Sequence, residues 1–246
     1  MDSSPRQPGA FATTRWSLIL AARGNQTPEA SAALAALCES YWYPLYVFLR
    51  RRGYPAADAQ DLTQEFFANL LEHHSLDAAN RDRGRFRTFL LMMLKRFLSK
   101  QRERNHAQKR GGGQPTLSLE FYSAEERFCL EPADDWTPEK AYHRRWALTI
   151  LDRVLHQLNA EYTEKGKGEL FERCRVFLAG QGEETSHAEV ARSLGMTPGA
   201  VKVSIHRMRQ RYRQRLHEAI ADTVSSPDEV RSEMHLLLAA LRGEEG

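Results

Sequence analysis

"SHAEVARSLGMTPGAVKVSIHRMRQRYRQRL", residues 186–216, decides how this chain is read. Ser186 followed by Glu189 is a capping box, in which each residue satisfies an orphan N–H of the other at a helix start, so a short helix is predicted over 187–194. Gly195 ends it. Thr197 is an N-cap and Pro198 occupies the first helical position, where a missing N–H costs nothing, so a second helix starts after a three-residue turn. This is helix-turn-helix spacing. Val201, Ile205, Met208, Tyr212 and Leu216 form one apolar stripe on the second helix, able to pack on Val190 and Leu194. The opposite face holds Gly199, Lys202, Val203, His206, Arg207 and Gln210, flanked by Arg209, Arg211, Arg213 and Arg215. Between residues 202 and 216 there are six Lys or Arg and no acid. A helix so charged suits a polyanion: Lys and Arg contact phosphates, while outward residues near the N-terminus can read base edges in a major groove. The alternative is a solvated amphipathic helix.

The 246 residues leave room for one large or two ordinary domains. The net charge is only +3, so a nucleic-acid site must come from charge segregation within the chain. Cys38, Cys129 and Cys174 show neither ligand nor disulfide spacing, which points to a reducing compartment. No apolar run approaches membrane-spanning length, and "SLILAA" at 17–22 is too short for a signal core. A cytoplasmic location without membrane insertion follows as the expectation. Sustained period-two alternation is missing while helical stripes and caps recur, so the fold is expected to be all-α.

Residues 1–12 are polar and read as a disordered tail. A short helix over 14–23 stops at Gly24. Thr27-Pro28 opens a longer one, kinked at Pro44 and ended at "RRRG" by Gly53. A third helix is predicted over 56–74 and a fourth over 85–104, which closes a first domain at 13–110. Residues 111–137 change character: from 119 to 140 seven acids face only Arg127 and Lys140, with Pro115, Pro132 and Pro138 in or beside the stretch. It reads as an acidic flexible linker. A second helical domain follows at 138–220, and 221–246 is expected to be a C-terminal amphipathic helix.

In "DAQDLTQEFFANLL" the residues Ala59, Leu62, Phe66 and Leu70 make a core stripe, widened by Phe67 and Leu71. Opposite them lies an acidic strip of Asp58, Asp61, Gln64, Glu65, Asn69 and Glu72. The next helix is its reverse: residues 81–110 carry eleven Lys or Arg against Asp82 and Glu103, a local balance of +9. Phe86, Leu90, Met93 and Phe97 are expected to face inward, which turns Lys95, Ser99 and Arg102 outward. An acidic and a basic surface on one small domain fit a protein that bridges a basic partner and DNA.

"YWYPLYVFLRRRGYPAADAQDLTQEFFANLL" with "RGRFRTFLLMMLKRFLSKQRERN" closely resembles region two of bacterial RNA polymerase sigma factors. "SHAEVARSLGMTPGAVKVSIHRMRQR" resembles their region four. With these two regions and no room for the domain between them, the chain is similar to the extracytoplasmic-function (ECF) group of the sigma-70 family. The resemblance covers most of residues 40–216, and "DLTQEFF" is its specific part. It implies two small helical domains, region two and the helix-turn-helix region four, joined by the acidic linker. It further implies a function in binding core RNA polymerase, recognising and melting promoter DNA, and starting transcription.

Residue by residue, the resemblance implies that Asp58, Asp61, Gln64 and Glu65 dock on the basic clamp helices of the β′ subunit. It implies that Asn80, Arg83, Arg85, Phe86, Arg87, Lys95, Arg96 and Lys100 serve the minus-ten element, where a flipped non-template base is captured. Phe86 also fits the core stripe, and core is its expected role by burial statistics. The minus-thirty-five element would be read by Thr197, Gly199, Ala200, Lys202, Val203, His206, Arg207 and Arg209. The partners implied are core polymerase through its β′ clamp helices and β flap, and promoter DNA; an anti-sigma factor is left open as a further partner. The acidic linker, long for the group, resembles the segment that threads the polymerase cleft. Ser204 stands where the family often has a basic residue.

Beyond region four, Ser226, Pro227 and Glu229 form another capped start. Val230, Met234, Leu237, Leu238 and Leu241 form a stripe expected to pack back on region four, with docking on a regulator or polymerase as the alternative. No catalytic residue, metal ligand or cofactor is expected. His73, His74 and Asp77 with Glu72 could be offered as a metal site, but neighbours on a helix point about 100° apart and chelate poorly. No nucleophile elbow, phosphate loop or catalytic carboxylate pair is visible. The rival reading is a helix-turn-helix regulator that binds promoter DNA without being a polymerase subunit.

Overall fold

A computed structural model describes residues 39–72, 85–107, 119–130, 136–178, 186–224 and 226–244, with 28, 29 and 32 besides. The predicted tail, the helix over 14–23, the start of the second helix, Cys38, and His73, His74, Asp77, Asn80 and Arg83 lie outside them. Nine α-helices are described: α1 (Trp42–Arg51), α2 (Ala56–Glu72), α3 (Phe86–Ala107), α4 (Leu119–Cys129), α5 (Pro138–Glu164), α6 (Gly168–Cys174), α7 (His187–Ser193), α8 (Pro198–Ala221) and α9 (Pro227–Arg242). A 3-10 turn, Arg175–Phe177, follows α6. The fold is all-α. Among the described residues the β-type pairing is a single bridge, Arg85 to Val224.

The chain divides into two compact units, 1–145 with 221–246, and 146–220. Helix α5 supplies 138–145 to the first unit and its remainder to the second. The expected boundary at 137/138 therefore falls inside the first unit.

In the first unit α1 is buried from Tyr43 to Leu49, and a helix apolar all round belongs at the centre of a core. It starts after a turn at Ser40 and Tyr41. Pro44 thus sits in a first turn, where no intrahelical N–H bond is lost, and does not kink a longer helix. Gly53, at φ 86°, closes the C-terminus, with the Tyr54 N–H reaching the Leu49 carbonyl at 3.2 Å. Helix α2 buries Ala59, Phe66, Phe67 and Leu70, and α3 buries Phe86, Phe89, Leu90, Leu91, Leu94 and Leu98. Met93 and Phe97 are half-buried. The inward row of α3 therefore follows steps of four from Phe86, one position away from the expected phase at its C-terminal half. Ring edges join the elements: Tyr41 to Phe86 at 5.0 Å and Phe48 to Tyr142 at 6.5 Å between centroids.

The stretch read as a flexible linker contains α4. Its residues find partners along α1: Glu125 pairs with Arg50 at 3.1 Å and accepts from the Tyr46 hydroxyl, Arg50 lies 4.7 Å over the Phe128 ring, and Arg127 lies 4.1 Å over Tyr43. Glu125, one of the acids of this stretch, is neutralised here by an arginine.

Helix α9 belongs to the first unit, which corrects the expectation that it packs back on region four. The Glu229 carboxylate reaches the Ser226 N–H at 3.1 Å, and Gly243, at φ 74°, ends the helix. A Cβ there would come within 2.8 Å of the Trp136 ring. Besides its apolar residues Val230 and Leu237, α9 buries Glu233 completely. An amphipathic pattern names the face a helix buries but not its mate, and a buried acid selects a basic one.

The second unit closes on Leu158, Phe171, Cys174, Phe177, Val190, Ala191, Val201, Ile205 and Met208, with Leu194 and Tyr212 packed against them. The cap of α7 is reciprocal: Glu189 N–H to Ser186 Oγ at 3.1 Å and Ser186 N–H to Glu189 Oε2 at 2.9 Å. Gly195, at φ 62°, turns the chain, and Thr197 Oγ1 accepts from the Ala200 N–H at 3.2 Å to start α8. Burial pushes the Cys174 thiol above its ordinary pKa, so the thiol is a small core hydrophobe.

Candidate functional sites

The helix-turn-helix presents one face of α8 to solvent. Thr197, Gly199, Lys202, Val203, His206, Arg207 and Arg209 are exposed and Ala200 is half-exposed. Val203 is 50% exposed, and an apolar side chain on an otherwise polar helix face is suited to contact, such as with a thymine methyl. Arg209 differs from its neighbours: its Nε and Nη2 donate to the Phe177 carbonyl at 3.3 and 2.9 Å, capping the 3-10 turn. Arg211 clasps Glu161 with Nε and Nη2 at 3.0 and 3.1 Å, and Arg215 pairs with the same carboxylate. Two of the arginines placed by the sequence as phosphate anchors therefore hold α8 to α5, while Arg213 is exposed.

In the first unit Asp58, Asp61, Gln64 and Glu65 all lie exposed along α2. Gln101 of α3 donates to Glu65. A groove beside them is lined by Arg52, Tyr54, Asp58, Asp61, Glu65 and Arg102. The buried flank of α2 includes Gln60 and Thr63, which no apolar stripe reveals; the Thr63 hydroxyl donates back to the Ala59 carbonyl at 2.6 Å, the usual way a helix hides a hydroxyl.

The residues expected at a minus-ten element separate into three groups. Lys95, Arg96 and Lys100 are exposed on α3. Lys95 pairs with Glu139 at 2.8 Å, and its hydrogen bond holds the Glu139 carboxyl below its ordinary pKa. Beside them a shallow cleft of about 460 Å³ is lined by Thr88, Leu91, Met92, Lys95, Arg96 and Ser99. Thr88, Leu91 and Met92 were missed from sequence because they lie off the expected core stripe and carry no charge. Phe86 is fully buried against Tyr41, so its ring serves the core and is not presented to a base.

Arg85 and Arg87 form the last group, turned onto Glu233 of α9. Arg87 Nε meets Glu233 Oε1 at 2.6 Å and its Nη2 meets Oε2 at 3.2 Å; Arg85 Nε meets Oε2 at 3.1 Å. Arg87 Nη1 lies 2.8 Å from His143 Nδ1. Burial, reinforced by the Arg87 charge, lowers the His143 pKa to about 4, so its Nδ1 is an acceptor. The Tyr142 hydroxyl donates to the Arg87 carbonyl at 3.0 Å, and burial raises its pKa well above the ordinary value. Neither Glu233 nor His143 was legible as a partner, since Glu233 lies 146 residues from Arg87 along the chain.

Among the described residues no cluster of three His, Cys, Asp or Glu side chains could hold a metal ion. No described helix is long and apolar enough to cross a membrane. Two units, one ending in a helix-turn-helix with an outward cationic face and the other bearing acidic and basic helices, define an all-helical protein with surfaces suited to nucleic acid. The ECF sigma factor family model matches residues 54–218, and the chain belongs to that family. Its function is accordingly that of a sigma factor in transcription initiation, with RNA polymerase and promoter DNA as partners. Searches of curated proteins and of solved structures found no match.

Proposed function

We propose that the chain joins core RNA polymerase through the exposed acidic face of α2 and directs it to promoters through α3 and α8. The observation that carries this reading is one unit bearing opposite charges on neighbouring helices: Asp58, Asp61, Gln64 and Glu65 on α2, and Lys95, Arg96 and Lys100 on α3. The acidic face complements the basic clamp helices of the β′ subunit. The cations of α3 track a single strand, with Asn80 and Arg83, which precede α3 in the sequence. The cleft floored by Leu91 and Met92 offers apolar surface to an unstacked base. Helix α8 enters the major groove of the minus-thirty-five element with Lys202, Val203 and His206 toward base edges, and the β flap supports this unit. An anti-sigma factor would compete for the same faces, and the work takes place in the cytoplasm.

Reconstitution with core polymerase tests the reading. Added to core enzyme and promoter libraries, the protein is expected to yield transcripts from specific start sites and to co-migrate with core. Tight, specific binding of promoter duplex by the chain alone, without association with core, would mean a regulator instead.

A further inference from the structure

We propose that α9 is a built-in competitor for nucleic acid, seated on Arg85 and Arg87 by the Glu233 carboxylate where a phosphate of a DNA strand would otherwise lie. The proposal rests on the reading of α3 as a strand-binding helix. A carboxylate and a phosphate are taken by guanidinium in the same forked geometry, and Glu233 uses both oxygens in that fork on Arg87 while Oε2 also serves Arg85. Arg85 Nη2 adds Ser232 Oγ at 3.1 Å. The helix thus covers two of the cations nearest the start of α3.

The seat is built for exchange more than for stability. Glu233 is fully buried and the Arg87 side chain is 7% exposed, so both charges have lost water, and that loss cancels much of their attraction. Of the apolar residues of α9, Val230 and Leu237 are buried, Met234, Leu236 and Leu241 are half-buried, and Leu238 is 44% exposed. The family match ends at residue 218, so α9 lies outside the matched residues. Beside the ion pair lies a cavity of about 440 Å³, with Arg85, Thr88, Lys140 and His143 on one side and Leu236 and Ala240 of α9 on the other. Departure of α9 would join this space to the exposed cations of α3 and leave Arg85 and Arg87 without their acid.

The test uses the full chain and a fluorescent single-stranded oligonucleotide. Glu233→Gln is expected to bind it about tenfold more tightly than the unaltered chain, the ratio for a seat closed in nine molecules of ten, with a steeper salt dependence from the added phosphate contacts. Amide exchange of the unaltered chain supplies an arm that does not depend on the variant's folding: adding the oligonucleotide is expected to speed exchange over residues 227–242. Equal affinities, or α9 amides equally protected with and without DNA, would overturn the proposal and make α9 a permanent part of the unit. The underlying reading fails separately: if replacing Lys95, Arg96 and Lys100 together by Ala leaves oligonucleotide affinity unchanged, α3 is not a strand-binding helix and the proposal falls with it.

Discussion

Arg87 holds two different partners at once, an anion in Glu233 and a neutral base in His143, and this sets a pH dependence. The folded His143 pKa of about 4 lies below the ordinary 6.5, so the unfolded chain takes up its proton first as pH falls. The stabilisation from neutral His143 is therefore complete above about pH 6.5 and is lost progressively toward pH 4. Urea denaturation at pH 7 and pH 4.5 should show the unaltered chain losing about 2–3 kcal/mol more than His143→Gln across that interval. Carboxylates that titrate over the same range are common to both proteins and cancel in the comparison. Identical losses would mean that His143 takes up its proton as readily in the folded chain as in the unfolded one, and that Arg87 does not donate to it.

At the scale of the element, α8 divides its cations between reading and holding. Arg209 caps the 3-10 turn and Arg211 and Arg215 clasp Glu161, which leaves Lys202, His206 and Arg207 outward in the first half and Arg213 in the second. Replacing Lys202 or His206 by Ala should change preference within the minus-thirty-five element, at about 1–3 kcal/mol for a good base contact. Replacing Arg213 should weaken all sequences alike and flatten the salt dependence. Selections from promoter libraries at two salt concentrations separate the outcomes; a shift in preference from Arg213 alone would invert the facing assigned to α8. Much of this element was legible in advance. Ser186 with Glu189, Gly195, and Thr197 with Pro198 act within a few residues of themselves, and the stripe from Val201 to Leu216 needs only helical geometry. The Glu161 clasp was not, because its partners sit some fifty residues apart and meet only after two helices have packed. The same distinction separates α2, whose exposed acids follow from its wheel, from α3, where the charge count and the family resemblance grouped Arg85 and Arg87 with Lys95.

Across the whole molecule, a net charge of +3 conceals faces of opposite sign. Asp61 and Glu65 lie on the exposed acidic face of α2, away from the row of Ala59, Phe66 and Leu70 that supports the fold. Asp61→Lys with Glu65→Lys should therefore weaken co-purification with core polymerase while leaving the helical circular dichroism and melting temperature nearly unchanged. A large fall in melting temperature would instead make the two acids structural. The assignment of 221–246 to a separate terminal helix missed its placement for a reason of the same kind. Hydropathy marks Val230 and Leu237 as inward, but only the mating arginines explain why Glu233 lies between them.

Trp136 lies against the end of α9. Its ring is so close to Gly243 that a single added carbon would collide with it, and Arg144 stands 4.7 Å over the same ring. Indole emission depends on its surroundings, so this residue is a native optical gauge of whether the helix end is in place. Trp42 is stacked on Tyr46 in α1 and Trp146 is fully buried in the other unit. A chain that keeps Trp136 and carries phenylalanine at its other tryptophan positions would report any displacement of α9 in a cuvette without a label.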